Sequence, residues 1–248
     1  MKTIVPFFFV SPVLALVGGL VDDPRRVALW TAAMAIDVLG ALYAGRSAFR
    51  GSPSHFAERY GLFVIIALGE SIVAIGVSAS GVERDTELAG AVAIAFAGVA
   101  TLWWAYFDFV APAAERALRR AGDAARGRFA RDVFTFCHYP IVAGIILFAV
   151  AAKKTVAHPD EALSGAGRFA LGAGIAIYLL GFVLARYRSI RRVACERVLG
   201  AAAAVLVVVW LDAVAAAVVM TAAVALLALA LAVEAARLRE MRASVRAG

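Results

Sequence analysis

The chain has 248 residues, 63% of them hydrophobic and 17% charged, with a mean hydropathy of +0.86. Soluble domains hold about 45–50% apolar and about 25% charged residues, so this balance excludes a disordered chain, a disulfide scaffold and a soluble Rossmann or barrel enzyme, and indicates an integral membrane protein. The formal charge of +7 then reads as a topology signal rather than a nucleic-acid footprint, because Lys and Arg are retained on the cytoplasmic side of a membrane.

A spanning helix needs about 20 mostly apolar residues. Eight segments qualify in chain order, at about 3–21, 27–45, 58–77, 88–110, 133–152, 169–185, 198–218 and 220–238. They predict one all-α domain over residues 1–248, a polytopic transmembrane bundle of about eight spans. The first segment contains Pro6 and Pro12 and has no Ala-x-Ala cleavage site, so a retained, kinked helix is expected rather than a signal peptide. Breakers separate most spans: Asp22-Asp23-Pro24, Gly51-Ser52-Pro53-Ser54, the run from Ser78 to Glu87, and His158-Pro159-Asp160. The last two spans meet at Val219–Met220 without a clear turn residue. With alternating sides, 19 of the 25 Lys and Arg fall on one side and 6 on the other. That asymmetry places both termini in the cytoplasm.

Composition also limits the chemistry. Cys137 and Cys195 are the only cysteines, which gives neither a disulfide framework nor a Cys-type zinc site. Asn and Gln are absent, so buried polarity must come from carboxylates, His, hydroxyls and backbone. The loop from Glu115 to Arg131 mixes Arg with acids and suits an amphipathic stretch on anionic lipid, not nucleic acid. No Walker loop, dinucleotide fingerprint or nucleophile elbow is present. No catalytic residue, cofactor or metal site is expected. His55 and Glu58 stand one helical turn apart, but two ligands do not make a metal centre.

Ionisable groups inside spans are costly and often functional. Here they are Asp37, Glu70, Asp108, His138 and Asp212; Glu234 lies near enough to a span end to snorkel and is set aside. Glu70 lies eleven residues after Arg59, about 16 Å into the membrane and on the same helical stripe. Asp37 reaches a similar depth from the other side. Asp108 closes the fourth span, at the negative end of its helix dipole, and needs a cation; Arg59 and His138 are the candidates. His138 with an acidic partner would form a proton relay. Pro140 frees a carbonyl one turn earlier. Trp103, Trp104, Tyr106 and Phe107 fit an aromatic belt or core packing.

The run His55-Phe-Ala-Glu58-Arg59-Tyr-Gly-Leu-Phe-Val-Ile-Ile-Ala-Leu-Gly69-Glu70-Ser71 resembles the signature of the bacterial low temperature requirement protein A family. Trp103-Trp-Ala-Tyr-Phe-Asp108 and His138-Tyr-Pro-Ile-Val-Ala-Gly144 resemble its next two motifs, in the same order. The resemblance implies a polytopic α-helical protein of the bacterial inner membrane, and a growth requirement in the cold. Members usually carry extra N-terminal helices opening with an acidic, Phe-rich motif of the Glu-Leu-Phe-Phe-Asp-Leu type. Nothing in this sequence matches that motif, so the expectation is that either those helices are lost or Met1 is an internal start.

The expected function is transport of a small cation, proton or polar solute, because the span interiors hold acids and a His but no Lys or Arg. Glu58, Arg59, Glu70, Asp108 and His138 form the expected pathway, with Asp37 and Asp212 as secondary intramembrane acids. Glu70 would carry the proton, His138 and Asp108 would relay it, and Arg59 would tune both carboxylates. The rival is a non-transporting sensor or scaffold that supports growth in the cold. An embedded enzyme is a weaker third reading, since only His138 with a carboxylate offers a catalytic pair. The partners expected are the lipid bilayer and a small solute; a homo-oligomer is compatible.

Overall fold

The computed structural model describes residues 5–44 and 51–239. Lys2, Arg46, Arg50, Arg242 and Arg246, which enter the charge count, and both chain termini lie outside the described residues. Among the described residues the chain forms ten α-helices and no strand. They are α1 (Val5–Gly19), α2 (Arg25–Ala44), α3 (Pro53–Ala79), α4 (Thr86–Ala105), α5 (Ala111–Arg120), α6 (Asp123–Phe129), α7 (His138–Ala157), α8 (Gly165–Ile190), α9 (Cys195–Trp210) and α10 (Ala216–Arg237). Two π-helical stretches, Tyr106–Val110 and Ala130–Phe136, join α4 to α5 and α6 to α7 without breaking the rod.

Local chemistry sets the helix ends. Pro53 opens α3, where a missing N–H costs nothing. The Asp85 side chain accepts from the Leu88 amide at 2.7 Å and caps α4. Ser164 does the same for α8 through the Gly167 amide. Arg191 takes a left-handed conformation (φ 55°) and ends α8.

Six helical runs are long and apolar enough to cross a membrane: Arg25–Tyr43, Pro53–Ala79, Thr86–Arg120, Ala125–Ala157, Gly165–Ile190 and Ala216–Arg237. The other two expected spans are shorter, with 15 residues in α1 and 16 in α9. Sixteen residues rise about 24 Å, less than a hydrocarbon core of about 30 Å. The span count is therefore six to eight. The expected join at Val219–Met220 is also corrected. The chain turns at Leu211–Ala215 instead, and Val219 and Met220 are buried inside α10. An Ala/Val-rich run hides such a turn from a reading by hydropathy alone.

The α7–α8 contact is the tightest in the bundle. A Cβ added at Gly144 would stand 2.6 Å from Gly174 O and 2.6 Å from Tyr178 Cβ, and one at Gly181 would stand 2.7 Å from Ile141. Small residues thus let the two backbones approach, as membrane helices require where hydrophobic exclusion is absent. Around this pair α3 and α4 pack on α7, α9 on α8, and α10 on α9 and α4. One apolar core runs through all six, with Phe148, Ile145, Leu171, Ile175, Tyr178 and Met220 almost fully buried. The α1–α2 hairpin stands apart from this core; Trp30 Nε1 donates to Ala15 O at 3.1 Å, and Met34 and Leu39 are exposed.

Loops alternate between two ends. At one end the Ala216 and Ala217 amides donate to Glu161 O and Pro159 O, joining the α7–α8 and α9–α10 loops. At the other end, α5 and α6 continue their rods beyond membrane thickness. The Thr86–Arg120 and Ala125–Ala157 runs hold 35 and 33 residues, about 50 Å of helix each. This end gathers Arg116, Arg120, Arg186, Arg188 and Arg197.

Candidate functional site

The site forms where α8 stops and the chain doubles back. Four residues after the left-handed Arg191, α9 starts at Cys195. Arg186 from the end of α8 and Arg197 from the first turn of α9 thereby reach one carboxylate, Glu234 in the last turn of α10. Arg197 is 3% exposed and Glu234 4%. Arg197 Nε donates to Glu234 Oε2 at 2.9 Å and lies 3.1 Å from Oε1. Its Nη2 stands 2.8 Å from Oε2 and donates to Ala105 O at 3.4 Å. The guanidinium lies over the Phe182 ring at 4.5 Å. Arg186 Nη1 stands 3.6 Å from Glu234 Oε1. A buried charge survives only with such partners, and Arg suits the role because its fork is planar and permanently charged.

This pair forms the floor of a cavity of about 580 Å³, within the usual size of small-ligand sites. Arg116, Arg120, Arg186, Arg188 and Arg197 line it, with Glu234 as the one carboxylate. Phe129, Phe182 and several alanines supply the apolar wall. Arg188 is engaged by Asp132, with Nε donating to Oδ2 at 2.8 Å. Arg197 Nη1 and Arg186 Nη1 are buried and have no hydrogen-bond partner. Among the described residues no three His, Cys, Asp or Glu side chains gather as a metal centre would require. The donor set is arginine, which matches oxyanions.

Behind the floor lies an aromatic cluster. The Phe182 ring is 4.8 Å from Tyr178 and 6.1 Å from Tyr106. Tyr106 Oη is 2.8 Å from His138 Nε2, and His138 Nδ1 is 3.1 Å from Val133 O. The carbonyl can only accept, so Nδ1 donates; the neutral ring then accepts from the Tyr106 hydroxyl at Nε2. The π-helical register explains this bond. The Cys137 amide reaches back five residues to Asp132 O, which leaves Val133 O turned toward the His138 side chain. Tyr60 and Phe134 close over the imidazole, with ring centroids at 4.9 and 5.8 Å. The Tyr178 hydroxyl donates to Leu102 O.

The expected pathway residues are not gathered into one site. Glu58 is exposed and pairs at 3.4 Å with the equally exposed His55. Arg59 and Glu70 are exposed. Glu70 follows the outward stripe of α3, with Phe63, Ile66, Val73 and Val77 at 50–62% exposure. The opposite stripe, Gly61, Val64, Leu68, Ser71 and Ile75, is the one buried. Small and β-branched side chains pack closest there, which turns Glu70 away from the core. Arg59, on the exposed face, is not poised as the group that tunes buried carboxylates. Asp108 lies half-buried in the first π-helical stretch. His138 is buried as expected of a span residue, but its partners are Tyr106 and Val133, not a carboxylate. None of Glu58, Arg59, Glu70, Asp108 and His138 lines the arginine cavity.

Two secondary acids are also re-placed. Asp37 is exposed on α2. Asp212 lies beyond the end of α9 at Trp210, in the following turn, paired with Arg168 at 3.4 Å. Glu234, set aside for its position near a span end, is the buried carboxylate of the site. The signal for it is faint: an acid at one helix end and Glu196-Arg197 at the start of the preceding helix, on the same side.

The fold and this site define a multi-pass helical membrane protein with a polar cavity at its basic end. The chain belongs to the family of the bacterial low temperature requirement A protein (LtrA), whose model matches residues 1–233. An uncharacterized protein of Rhizobium meliloti (strain 1021) is 32% identical over 184 residues, covering 69% of this chain. The chain spans 44% of the length of that relative. No solved structure matches it.

Proposed function

We propose that this chain is a non-enzymatic protein of the bacterial inner membrane that carries a small solute, with the arginine-lined cavity as the cytoplasmic mouth of its pathway. One observation carries the reading: a cavity of about 580 Å³ whose floor is a buried Arg197–Glu234 pair. A purely structural bundle gains nothing from holding an ion pair under a hollow, because filling the space with apolar side chains is at least as stabilising. The positive-inside rule puts this end in the cytoplasm. Phe182 separates the cavity from the Tyr106–His138 pair, so it acts as the gate. Glu234, and not Glu70, is the carboxylate of this pathway.

Proteoliposomes holding a pH-sensitive dye, with labelled inorganic phosphate and potassium as external solutes, test this. Flux above that of empty liposomes is expected, with a loss of at least about tenfold in Glu234→Gln, the effect of one charge-assisted contact. Wild-type flux no greater than that of empty liposomes would overturn the reading.

The sensor or scaffold alternative has one observation in its favour: both His138 nitrogens are engaged inside a closed aromatic shell. It expects Tyr106 and His138 variants to lower melting temperature with no flux to lose.

A further inference from the structure

We propose that the cavity at the basic end binds a phosphate group, presented by a free phosphate compound or by a phospholipid headgroup. The inference rests on the cavity being a ligand site and names the chemistry of its ligand; it does not require that the ligand be transported.

Charge comes first. Arg186 and Arg197 share one carboxylate, Glu234, at 3.6 and 2.8 Å. One negative charge therefore faces two guanidiniums at the floor, and Arg120 adds to the wall. Arg188 shares Asp132, outside the lining, with Arg131. The excess positive charge calls for an anion of more than one charge, which separates phosphate from a simple carboxylate.

Geometry points the same way. Arg197 commits Nε and Nη2 to Glu234 and Ala105 O. That leaves Nη1, on the other edge of a guanidinium only 3% exposed, with no acceptor. Arg186 Nη1 is also buried, facing Glu234 Oε1 at 3.6 Å but making no hydrogen bond. Each unmet donor is unfavourable where water is scarce. Two Nη1 groups from different helices flank one carboxylate at the floor of the cavity. A tetrahedral oxyanion accepts several donors at once, and Arg forks match its oxygens. The N-terminus of the 16-residue α9 adds a favourable dipole, because Ala194 at its cap lines the cavity. The apolar remainder, Val110, Phe129, Phe182 and Ile190, fits the organic part of an ester or lipid.

The test uses the full chain in phosphatidylcholine nanodiscs, with calorimetric titration of inorganic phosphate. A second arm adds phosphatidic acid to the nanodiscs and reads retained lipid by native mass spectrometry. Arg186→Gln and Arg197→Lys are compared with wild type, the Lys variant keeping a cation for Glu234 so that the fold persists. Arg84→Gln at the opposite end is the control. Phosphate binding weakened about tenfold or more by both variants and unchanged by the control supports a free phosphate ligand. No phosphate binding, but Arg186-dependent retention of phosphatidic acid, supports the headgroup. Glu234→Gln is expected to bind phosphate several-fold more tightly, since the competing carboxylate is gone; a merely structural pair would not give that gain. Binding in neither arm, or binding indifferent to both arginines, overturns the proposal. Phosphate binding without any solute flux would uphold it while removing the transport reading. Proton or potassium flux without phosphate binding would do the reverse.

Discussion

The outer face of α3 and the basic end of the bundle both hold a carboxylate that the sequence places in or near the membrane. Glu70 sits about halfway along a span, Glu234 at the end of one. Depth alone ranks Glu70 as the costly, functional group. Packing reverses the order. Glu70 follows Phe63, Ile66 and Val73 on an exposed stripe, whereas Glu234 is buried against two arginines from two other helices. Depth along a helix and burial within a bundle are independent coordinates. The first is set by rise per residue, the second by which stripe meets a neighbour.

The largest expected effect comes from breaking the buried pair. Arg197→Ala leaves Glu234 with only the more distant Arg186, and a stability loss of about 3–5 kcal/mol is expected by chemical denaturation in detergent. The double replacement Arg197→Met, Glu234→Met should cost much less than either single one, because no buried charge is stranded. Equal losses in the single and double variants would mean that the pair is not coupled.

A smaller effect is expected one layer deeper. Tyr106→Phe removes the donor to His138 Nε2 and should cost about 1–3 kcal/mol, the range for a stranded buried polar atom. The imidazole 15N shift should change with it, since Nε2 loses its partner. An unchanged spectrum would show that the Tyr106–His138 bond does not form.

On the α3 face, Glu70→Gln should leave the melting temperature where it is. A marked fall would mean that something buries Glu70 in the membrane, and the contrast with Glu234 would collapse.

The smallest effect is at the exposed rim. Glu196 opens α9, where its own backbone amide, and then Arg237 at 3.0 Å, hold its carboxyl below the usual range. A depressed carboxylate stabilises the fold above its unfolded pKa of about 4.3, and this stabilisation is lost as pH falls through the folded value below that. Arg237→Ala should therefore cost only a few tenths of a kcal/mol at neutral pH, and the difference should vanish in acid. A difference that persists in acid would assign the effect to packing of the Arg237 side chain.

Much of the architecture was legible because bilayer-length apolar runs and breaker clusters are local signals. The six long runs each contain an expected apolar segment or nearly so, two of them running up to ten residues past it, and the three ordered motifs carried the family. The turn at Leu211–Ala215 escaped because Ala and Val give no punctuation, and the misplaced break put Asp212 inside a helix instead of a turn. His138 stood out as a rare buried ionisable group. Its partners did not, since Tyr106 is 32 residues away and Val133 O is exposed to it only by a π-helical register.

The sequence by itself determined the all-α class, the approximate spans, the charge asymmetry between the two ends and the membership of the family. These follow from composition and from periods of a few residues. Only the tertiary structure decided which ionisable groups act together. Arg197 and Glu234 are 37 residues apart, and Arg186 reaches the same carboxylate from a third helix. Their meeting depends on where α8 stops, how the chain turns back, and how closely glycines let neighbouring helices approach. None of these is a property of any one segment.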